Sequence, residues 1–247
     1  INENETSLGN GLSGKYSEKI EKYVNCCSSL NSSLILHNQP KLKVITNNAE
    51  LINKIDSNLD CIQIKFKTKV DSSIPFASAH CKLDVFSYFS TLPENCYSIL
   101  LDSDVLCIND TAPIMKNIAS GIPIAYDITD QQFQGIGTER VCKDKELLIK
   151  KVLREKTDFT SSGFWAGGEF IGGTADFYKT LYNMCKKILP VYLENCKKLF
   201  HNGDEMIVSC ALEILIRQKK VFVFDAGTLG IIGRYYDSST NHVQHIW

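Results

Sequence analysis

The apolar residues of this chain follow two periods, and segments of one period take turns with segments of the other. In residues 41–46 and 59–66 apolar and polar positions alternate, which is typical of a half-buried strand. In residues 79–92 and 143–154 apolar residues recur at helical spacing. Further strands are predicted at 96–108, 122–126 and 221–224, and further helices at 15–24, 112–118, 175–200 and 204–219. Strands that alternate with helices predict an α/β sheet domain.

Local signals add detail to this outline. Asn47-Asn48 are expected to cap a helix that ends at Ile55. Pro190 lies inside the predicted helix 175–200 and should kink or break it. Residues 163–173 form an apolar stretch interrupted by glycines, which precedes that helix. No internal repeat or low-complexity linker divides the chain, so a single domain over residues 1–247 is predicted.

The length and the termini give further expectations. With 247 residues, 44% of them hydrophobic, the chain can bury one good core. Its longest apolar stretches fall far short of the roughly 18–20 residues that span a bilayer, so no transmembrane segment is predicted. The chain begins with Ile1 rather than Met, and we expect it to be a piece that lacks a preceding strand or a membrane anchor.

Charge and cysteine usage exclude some classes of function. Lys and Arg total 27 against 28 Asp and Glu, which disfavours a nucleic-acid partner because no global positive field exists. The ten cysteines are scattered without any Cys-x-x-Cys pair, which argues against a zinc site and favours reduced thiols. We therefore expect a cytoplasmic protein, and a peripheral association with a membrane is left open. Three glycosylation sequons, at residues 4–6, 31–33 and 109–111, keep the Golgi lumen as the alternative.

Two carboxylates stand at the end of the most apolar predicted strand. Asp102 and Asp104 follow the run 96–101 with one residue, Ser103, between them. Side chains two positions apart on a strand point to the same face, so the two acids are expected to converge. Bare carboxylates that converge repel each other, and a divalent cation with oxygen ligands, Mg²⁺ or Mn²⁺, reverses that balance. Such a cation can bridge the two phosphates of a nucleoside diphosphate.

With this motif the sequence resembles the GT-A glycosyltransferases that carry a DxD motif, among them the bacterial lipopolysaccharide galactosyltransferases and glycogenin. Four features match in order over about residues 41–247: a segment with Lys82 and Asp84 before the motif strand, the Asp102-Ser103-Asp104 motif, the glycine-rich segment 164–173, and the terminal segment 241–247. The resemblance implies a mixed, mostly parallel sheet flanked by helices. The donor-binding residues that it implies are Lys82, Asp84, Asp102, Ser103, Asp104, Gly167 and Gly168.

The terminal segment and the donor follow from the same resemblance. His245 corresponds to a third metal ligand beside Asp102 and Asp104, and it is favoured over His242. An imidazole ligand shifts the preference from Mg²⁺ to Mn²⁺. The implied partners are a nucleotide-sugar donor, a UDP-sugar foremost, and a glycan, lipid-linked or protein acceptor, as in polysaccharide biosynthesis. These families open with a strand that holds the nucleobase, and no such strand precedes the first predicted helix.

Three further acids are candidate catalytic residues. Asp204 and Glu205 begin a predicted helix after the turn Asn202-Gly203, where Asp204 could be a helix cap only. In related transferases an acidic pair at this place binds the acceptor hydroxyl or acts as the base. Glu169 is the third candidate because an acid inside a glycine-rich strand is costly to bury without a task.

Two other functions are weighed against the transferase. The Asp102-Ser103-Asp104 segment also resembles the nucleophile strand of haloacid-dehalogenase-like phosphatases, in which the first Asp attacks phosphate. Against this, the motif lies far from the start of the domain, and no later acid follows Gly203-Asp204 as that family requires. The other alternative is a non-catalytic domain that binds sugar nucleotides. Whether transfer would retain or invert the anomeric configuration is left open.

Overall fold

The computed structural model describes residues 16–129, 136–154, 159–234 and 244–245. Its α-helices are α1 (Tyr16–Leu36), α2 (Ala49–Ile55), α3 (Lys82–Phe89), α4 (Ala112–Ala119), α5 (Ile136–Leu153), α6 (Ala175–Asn195) and α7 (Asp204–Arg217). Its strands are β1 (Lys43–Thr46), β2 (Asp60–Gln63), β3 (Tyr97–Leu101), β4 (Val105–Cys107), β5 (Ile124–Asp127), β6 (Ala166–Thr174), β7 (Phe224–Asp225), β8 (Ile232–Arg234) and β9 (Gln244–His245). Short 3₁₀ turns cover Ala77–Cys81, Cys196–Lys198 and Ala226–Leu229.

The strands form three sheets. β1 and β2 pair in parallel, the central sheet has the order β3-β6-β5-β7, and a small sheet has the order β4-β8-β9. The prediction of a mixed α/β fold with helices around a mixed sheet is confirmed, and the arrangement is compatible with GT-A. Among the described strands, three pairs are parallel and three are antiparallel, because β6 runs opposite to both of its neighbours and β4 opposite to β8. A parallel majority is therefore not seen in this part of the chain.

Strand β6 is the centre of the domain, and its glycines explain how it fits there. A Cβ atom at Gly172 would stand 2.9 Å from Ile124 and 3.1 Å from Ile99, the side chains of the two flanking strands. The bare backbone therefore lets β3 and β5 pack against β6 from both sides. Helices α3, α6 and α7 pack against one another beside this sheet and close the main core.

The strand predicted at 96–108 is two strands separated by a turn. β3 pairs with β6, whereas β4 pairs with β8, so the chain changes partner between Leu101 and Val105. The expectation that Asp102 and Asp104 converge as alternate residues of one strand is therefore wrong. Both acids lie in the turn between two sheets, which places them at the sheet edge by a different route.

Other local expectations fared differently. Asn48 caps α2 as predicted, and its side chain accepts a hydrogen bond from the backbone N–H of Leu51. Helix α6 contains Pro190 and runs on to Asn195, so the helix is not broken there. A proline removes one helical hydrogen bond, and the packing of α6 against both α3 and α7 outweighs that loss.

Two global features complete the fold. In the part of the chain that the structure describes, no helix is long and apolar enough to cross a membrane. All ten cysteines are free thiols, in agreement with the sequence-based expectation of unpaired cysteines.

Candidate active site

Three elements bring charged side chains to one point on β6. Lys82, the first residue of α3, places its Nζ atom 2.8 Å from Oδ1 of Asp102, which follows β3. The same Nζ atom lies 3.3 Å from Oδ2 of Asp204 in the first turn of α7. It also donates a hydrogen bond of 2.9 Å to the carbonyl oxygen of Gly168 in β6. We call this group of four residues the open centre.

Gly168 makes the open centre sterically feasible. A Cβ atom at this position would stand 2.9 Å from Nζ of Lys82 and 3.2 Å from Cγ of Glu205. The space that a side chain would occupy is thus filled by a lysine from α3 and a glutamate from α7. The donor-binding role that the resemblance implies for Gly168 stays a prediction. In the structure its carbonyl oxygen accepts a hydrogen bond from Lys82, and its N–H donates one to Glu205.

Negative charge exceeds positive charge in the open centre. Burial alone would lower the pKa of Lys82, but the carboxylates of Asp102 and Asp204 raise it above its usual value, so the side chain stays charged. The pKa of Asp102 is raised by burial first and then by the repulsion of Asp104, against the opposing effect of Lys82. One ammonium therefore faces several acids, and a further cation would lower the energy of the site.

Glu205 is held from two sides. Its Oε1 accepts the backbone N–H of Gly168 at 3.1 Å, and its Oε2 accepts the indole N–H of Trp165 at 3.1 Å. Nε2 of His201 lies 3.5 Å from the same Oε2. Because each oxygen already receives a donor, Glu205 is well oriented and poorly suited to take a proton from a substrate.

Asp204 has a different environment from its neighbour. Gly203, not Asp204, is the N-cap of α7, so the interpretation of Asp204 as the helix cap is wrong. The turn before the helix is extended at Gly203, and Asp204 is therefore already the first helical residue, with a carboxylate that reaches Lys82. Its side chain is only 6% exposed. Of the two predicted acids at this helix start, Asp204 forms the ion pair with Lys82, whereas Glu205 binds the backbone N–H of Gly168.

The donor set fits a divalent cation at Asp102 and Asp104. The Asp104 side chain is exposed at the same turn and repels Asp102. Strand pairing places the backbone of His245 two strands away from Val105, because Val105 pairs with Arg234 and Arg234 pairs with His245. The side chain of His245 lies outside the described residues, as does His242 as a whole. Within the described side chains, no group of three His, Cys, Asp or Glu residues converges on one point.

Glu169 and Gly167 form a separate arrangement. Glu169 is fully buried, and its carboxylate folds over Gly167, where a Cβ atom would stand 2.3 Å from Oε2. Successive residues of a strand point to opposite faces, so Glu169 lies on the face of β6 opposite to the one that carries Lys82 and Glu205. Its backbone carbonyl oxygen nevertheless accepts the N–H of Asp102 at 3.1 Å. A catalytic role for Glu169 stays a prediction.

A cavity of about 760 Å³ lies where β1 and β2 end. Asn47, which follows β1, and residues 63–66 at the end of β2 line one part of it. Lys65 and Lys69 give it positive charge, and Cys81 at its wall precedes Lys82. Strand β1 ends at this cavity. It follows α1 in sequence, so it does not precede the first helix as the nucleobase-binding strand of the resembled families does.

Asp84 supports one wall of this cavity. Its carboxylate is nearly buried and accepts the backbone N–H groups of Lys67 and Thr68, at 3.0 Å and 2.8 Å. Thr68 itself lines the cavity. Asp84 therefore fixes the loop that contains Lys67 and Thr68 in this structure, and its contact with a donor stays a prediction. Ser103 lies in the turn between the two motif acids and is partly buried.

Sequence reasoning missed an aromatic group next to the acids. The ring of Phe76 stacks on that of His201, with centroids 6.1 Å apart and planes 17° apart. Trp165 meets His201 edge-on at 5.4 Å. His80 lies fully buried nearby, and burial lowers its pKa. These residues come from distant parts of the chain, and no local pattern signals that they meet.

A second lysine–carboxylate pair, Lys145 with Glu213, was also missed. Nζ of Lys145 lies 2.6 Å from Oε2 of Glu213 and donates to the carbonyl oxygen of Phe164. Glu213 also accepts the N–H of Ser162 at 2.6 Å and the hydroxyl of Ser161 at 3.0 Å. We call this group the closed centre. It ties α5 and α7 to the segment that leads into β6.

The chain is similar in structure to two glycosyltransferases. Mouse xyloside xylosyltransferase 1 in its apo form shares 12% identity at a TM-score of 0.48, over 83% of this chain and 81% of that one. The apo WbbM bifunctional glycosyltransferase shares 12% identity at a TM-score of 0.45, over 84% of this chain. The chain spans only 37% of the length of WbbM. No protein-family model matches the sequence, and no curated protein matches it.

Proposed function

We propose that this chain is a metal-dependent glycosyltransferase that moves a sugar from a nucleoside-diphosphate sugar to a glycan or lipid-linked acceptor. The observation that carries the proposal is the open centre, in which one lysine faces two acids. A polar cavity that contains lysines supports it, and its lining extends to Cys81, the residue before Lys82. Excess negative charge favours a cation, and a cavity of about 760 Å³ is large enough for a nucleotide.

The donor would bind with its nucleoside in the cavity and its diphosphate at the motif turn. Lys65 and Lys69 would attract the anionic donor, and a UDP-sugar is the donor that we favour. Asp102 and Asp104 would hold Mn²⁺ or Mg²⁺, with His245 as the third ligand, and the bound cation would supply Lewis-acid stabilisation of the departing diphosphate. Lys82 would add a fixed positive charge at the same place.

On the acceptor side, the roles divide between two neighbouring acids. Asp204 would orient the acceptor hydroxyl and accept its proton, because its carboxylate lies in the open centre. Glu205 would keep Gly168 and Trp165 in place through its two hydrogen bonds. Removal of charge at Asp204 should therefore affect the rate of transfer more than the binding of the donor.

The test is Asp104→Ala, measured by calorimetric titration with UDP in the presence of Mn²⁺. Loss of one of two carboxylate ligands should abolish metal-dependent binding, while the melting temperature stays unchanged because Asp104 is exposed. Asp176→Ala is the matched control, since Asp176 is an exposed aspartate in the first turn of α6.

Two results would contradict the proposal. One is a variant Asp104→Ala that binds UDP with Mn²⁺ as tightly as the parent. The other is turnover of a simple phosphoester, such as p-nitrophenyl phosphate, with Mg²⁺ alone and without any transfer of sugar. That second result would support the phosphatase alternative.

A further inference from the structure

Phe76 has a backbone conformation that a bulky residue rarely adopts. Four non-glycine residues in the described part of the chain have a positive φ. Three of them, Asn38, Arg154 and Lys219, closely follow the ends of α1, α5 and α7, where a left-handed residue commonly terminates a helix. Phe76, with φ of 57°, instead precedes a 3₁₀ turn. A left-handed aromatic residue that no helix end explains points to a functional constraint.

The side chain of Phe76 is placed to meet a ligand. The residue is 37% exposed, although it is a large hydrophobic residue. One face of its ring stacks on His201 at 6.1 Å. An aromatic ring that is supported on one face and still exposed offers its other face as a flat apolar surface.

The position of Phe76 links the cavity with the acids. The next two residues, Ala77 and Ser78, line the cavity of about 760 Å³. In the other direction, Nε2 of His201 lies 3.5 Å from Oε2 of Glu205, and Asp204 adjoins Glu205 in α7. His201 therefore connects the ring of Phe76 with Glu205, the residue that follows the carboxylate that we assign to the acceptor hydroxyl.

We propose that Phe76 is the floor of the acceptor subsite and receives the apolar face of a pyranose ring, so that the acceptor is a saccharide. This inference rests on the proposed transferase function. The C–H groups on one face of a pyranose pack on an aromatic ring, while the hydroxyl groups at its edge remain free for Asp204. His201 supports the ring from behind, and the left-handed backbone of Phe76 fixes its direction.

The test compares Phe76→Gly with Phe76→Tyr. Glycine adopts a positive φ without strain, so Phe76→Gly removes the ring and keeps the loop folded, whereas alanine would keep the strain. Phe222→Ala is the control, because Phe222 is 71% exposed and lies outside the site. The probes are methyl β-glucopyranoside, methyl β-galactopyranoside, a serine-containing peptide and water.

We expect Phe76→Gly to lose about tenfold in kcat/KM for the glycosides relative to transfer to water, mainly through a higher KM. Phe76→Tyr should keep the parental preference, and Phe222→Ala should change nothing. An equal loss for glycosides and water would overturn the inference. So would a parent enzyme that glycosylates the peptide and neither glycoside.

Saturation-transfer NMR with the two methyl glycosides separates this inference from the proposed function. The measurement needs no donor and no turnover. Glycoside binding by the parent that is lost in Phe76→Gly supports the subsite, even if no nucleotide sugar is turned over, in which case the proposed function alone fails. Equal saturation transfer in the parent and in Phe76→Gly overturns the subsite.

Discussion

Helix α7 contributes a carboxylate to two lysine–carboxylate centres, which differ in the exposure of their side chains and in the balance of their charges. In the closed centre, Lys145 and Glu213 are 0% and 2% exposed. Glu213 faces two bases, Lys145 at 2.6 Å and the partly exposed Arg217 at 3.4 Å, and Ser161 and Ser162 complete its hydrogen bonds. In the open centre, Lys82 is 18% exposed and Asp102 is 30% exposed. There the acids outnumber the single lysine.

This difference indicates which of the two centres can bind a ligand. A buried pair whose charges and hydrogen bonds are balanced offers nothing to a substrate and fixes the geometry of its surroundings. A partly exposed group with excess negative charge is unfavourable by itself and becomes favourable with a cation. The open centre should therefore govern rate, and the closed centre should govern stability.

The largest effect expected in this comparison is on the rate, in Asp204→Asn. If Asp204 accepts the proton of the acceptor, this substitution should lower transfer by about 100-fold to 10,000-fold. Donor affinity and melting temperature should stay close to those of the parent, because Gly203 is the cap of α7. Transfer rate and donor affinity are measured on the same variant, with Asp176→Asn, another aspartate in a first helical turn, as the control.

Near-parental transfer by Asp204→Asn would remove this residue from the chemistry. Glu205 and Glu169 would then be the acids to test. A large loss of stability in the same variant would instead make the open centre resemble the closed one, and the comparison would fail.

The next effect is on stability, in Lys145→Met. The substitution leaves the buried Glu213 with only its longer contact to the partly exposed Arg217, and it should lower the free energy of unfolding by about 3 kcal/mol. The double variant Lys145→Met/Glu213→Leu should recover much of this loss, since the uncompensated charge is gone. Chemical denaturation measures both. Lys54→Met at the exposed pair Lys54–Glu50 is the control and should leave the denaturation midpoint unchanged.

A Lys145→Met variant as stable as the parent would show that the pair is not essential to the fold. Unchanged stability together with a large loss of transfer would place the closed centre in the chemistry, contrary to the division drawn here.

The smallest expected effect is on the loss of folding stability at low pH. Burial would raise the pKa of Glu213, but the charge and hydrogen bond of Lys145 hold it below its usual value. A carboxyl group with a lowered pKa in the folded state contributes stability at high pH and loses it as the pH falls below about 4.3. Glu213→Gln removes this proton uptake and should flatten the acid loss of stability by up to about 1.4 kcal/mol per pH unit.

Denaturation midpoints are measured between neutral pH and pH values below the pKa of a free glutamate. Glu194→Gln is the control, because Glu194 is an exposed glutamate in α6. Equal acid slopes in the parent and in Glu213→Gln would mean that folding does not lower the pKa of Glu213.

Residues that signal their roles locally were predictable from the sequence. Asn48 was recognised as a cap, and the alternation of strands and helices gave the fold class. The motif and the resemblance named Asp102 and Lys82 separately as donor-binding residues, but their mutual ion pair was not predicted. The acids were found because a pair of carboxylates after an apolar run is visible within a few residues.

What could not be predicted depends on the tertiary structure. Lys145 and Glu213 lie far apart in sequence, and each looks like an ordinary charge on a helix surface. The turn at Asp102 arises because β3 and β4 pair with different strands, which no local period reveals. The left-handed backbone of Phe76 carries no sequence signal, since turns of this kind usually select glycine or asparagine.

Gly168 links the packing of β6 to the chemistry that we propose for the open centre. Neither the pairing of β6 nor the cavity beside Lys65 requires a glycine there, but Lys82 and Glu205 fill the space that one methyl group would take. A descendant with alanine at this position would keep the fold and the cavity while its charged groups were displaced. On the proposed function, such a protein would still bind its donor but would transfer the sugar more slowly, so one methyl group would separate an active transferase from a pseudoenzyme.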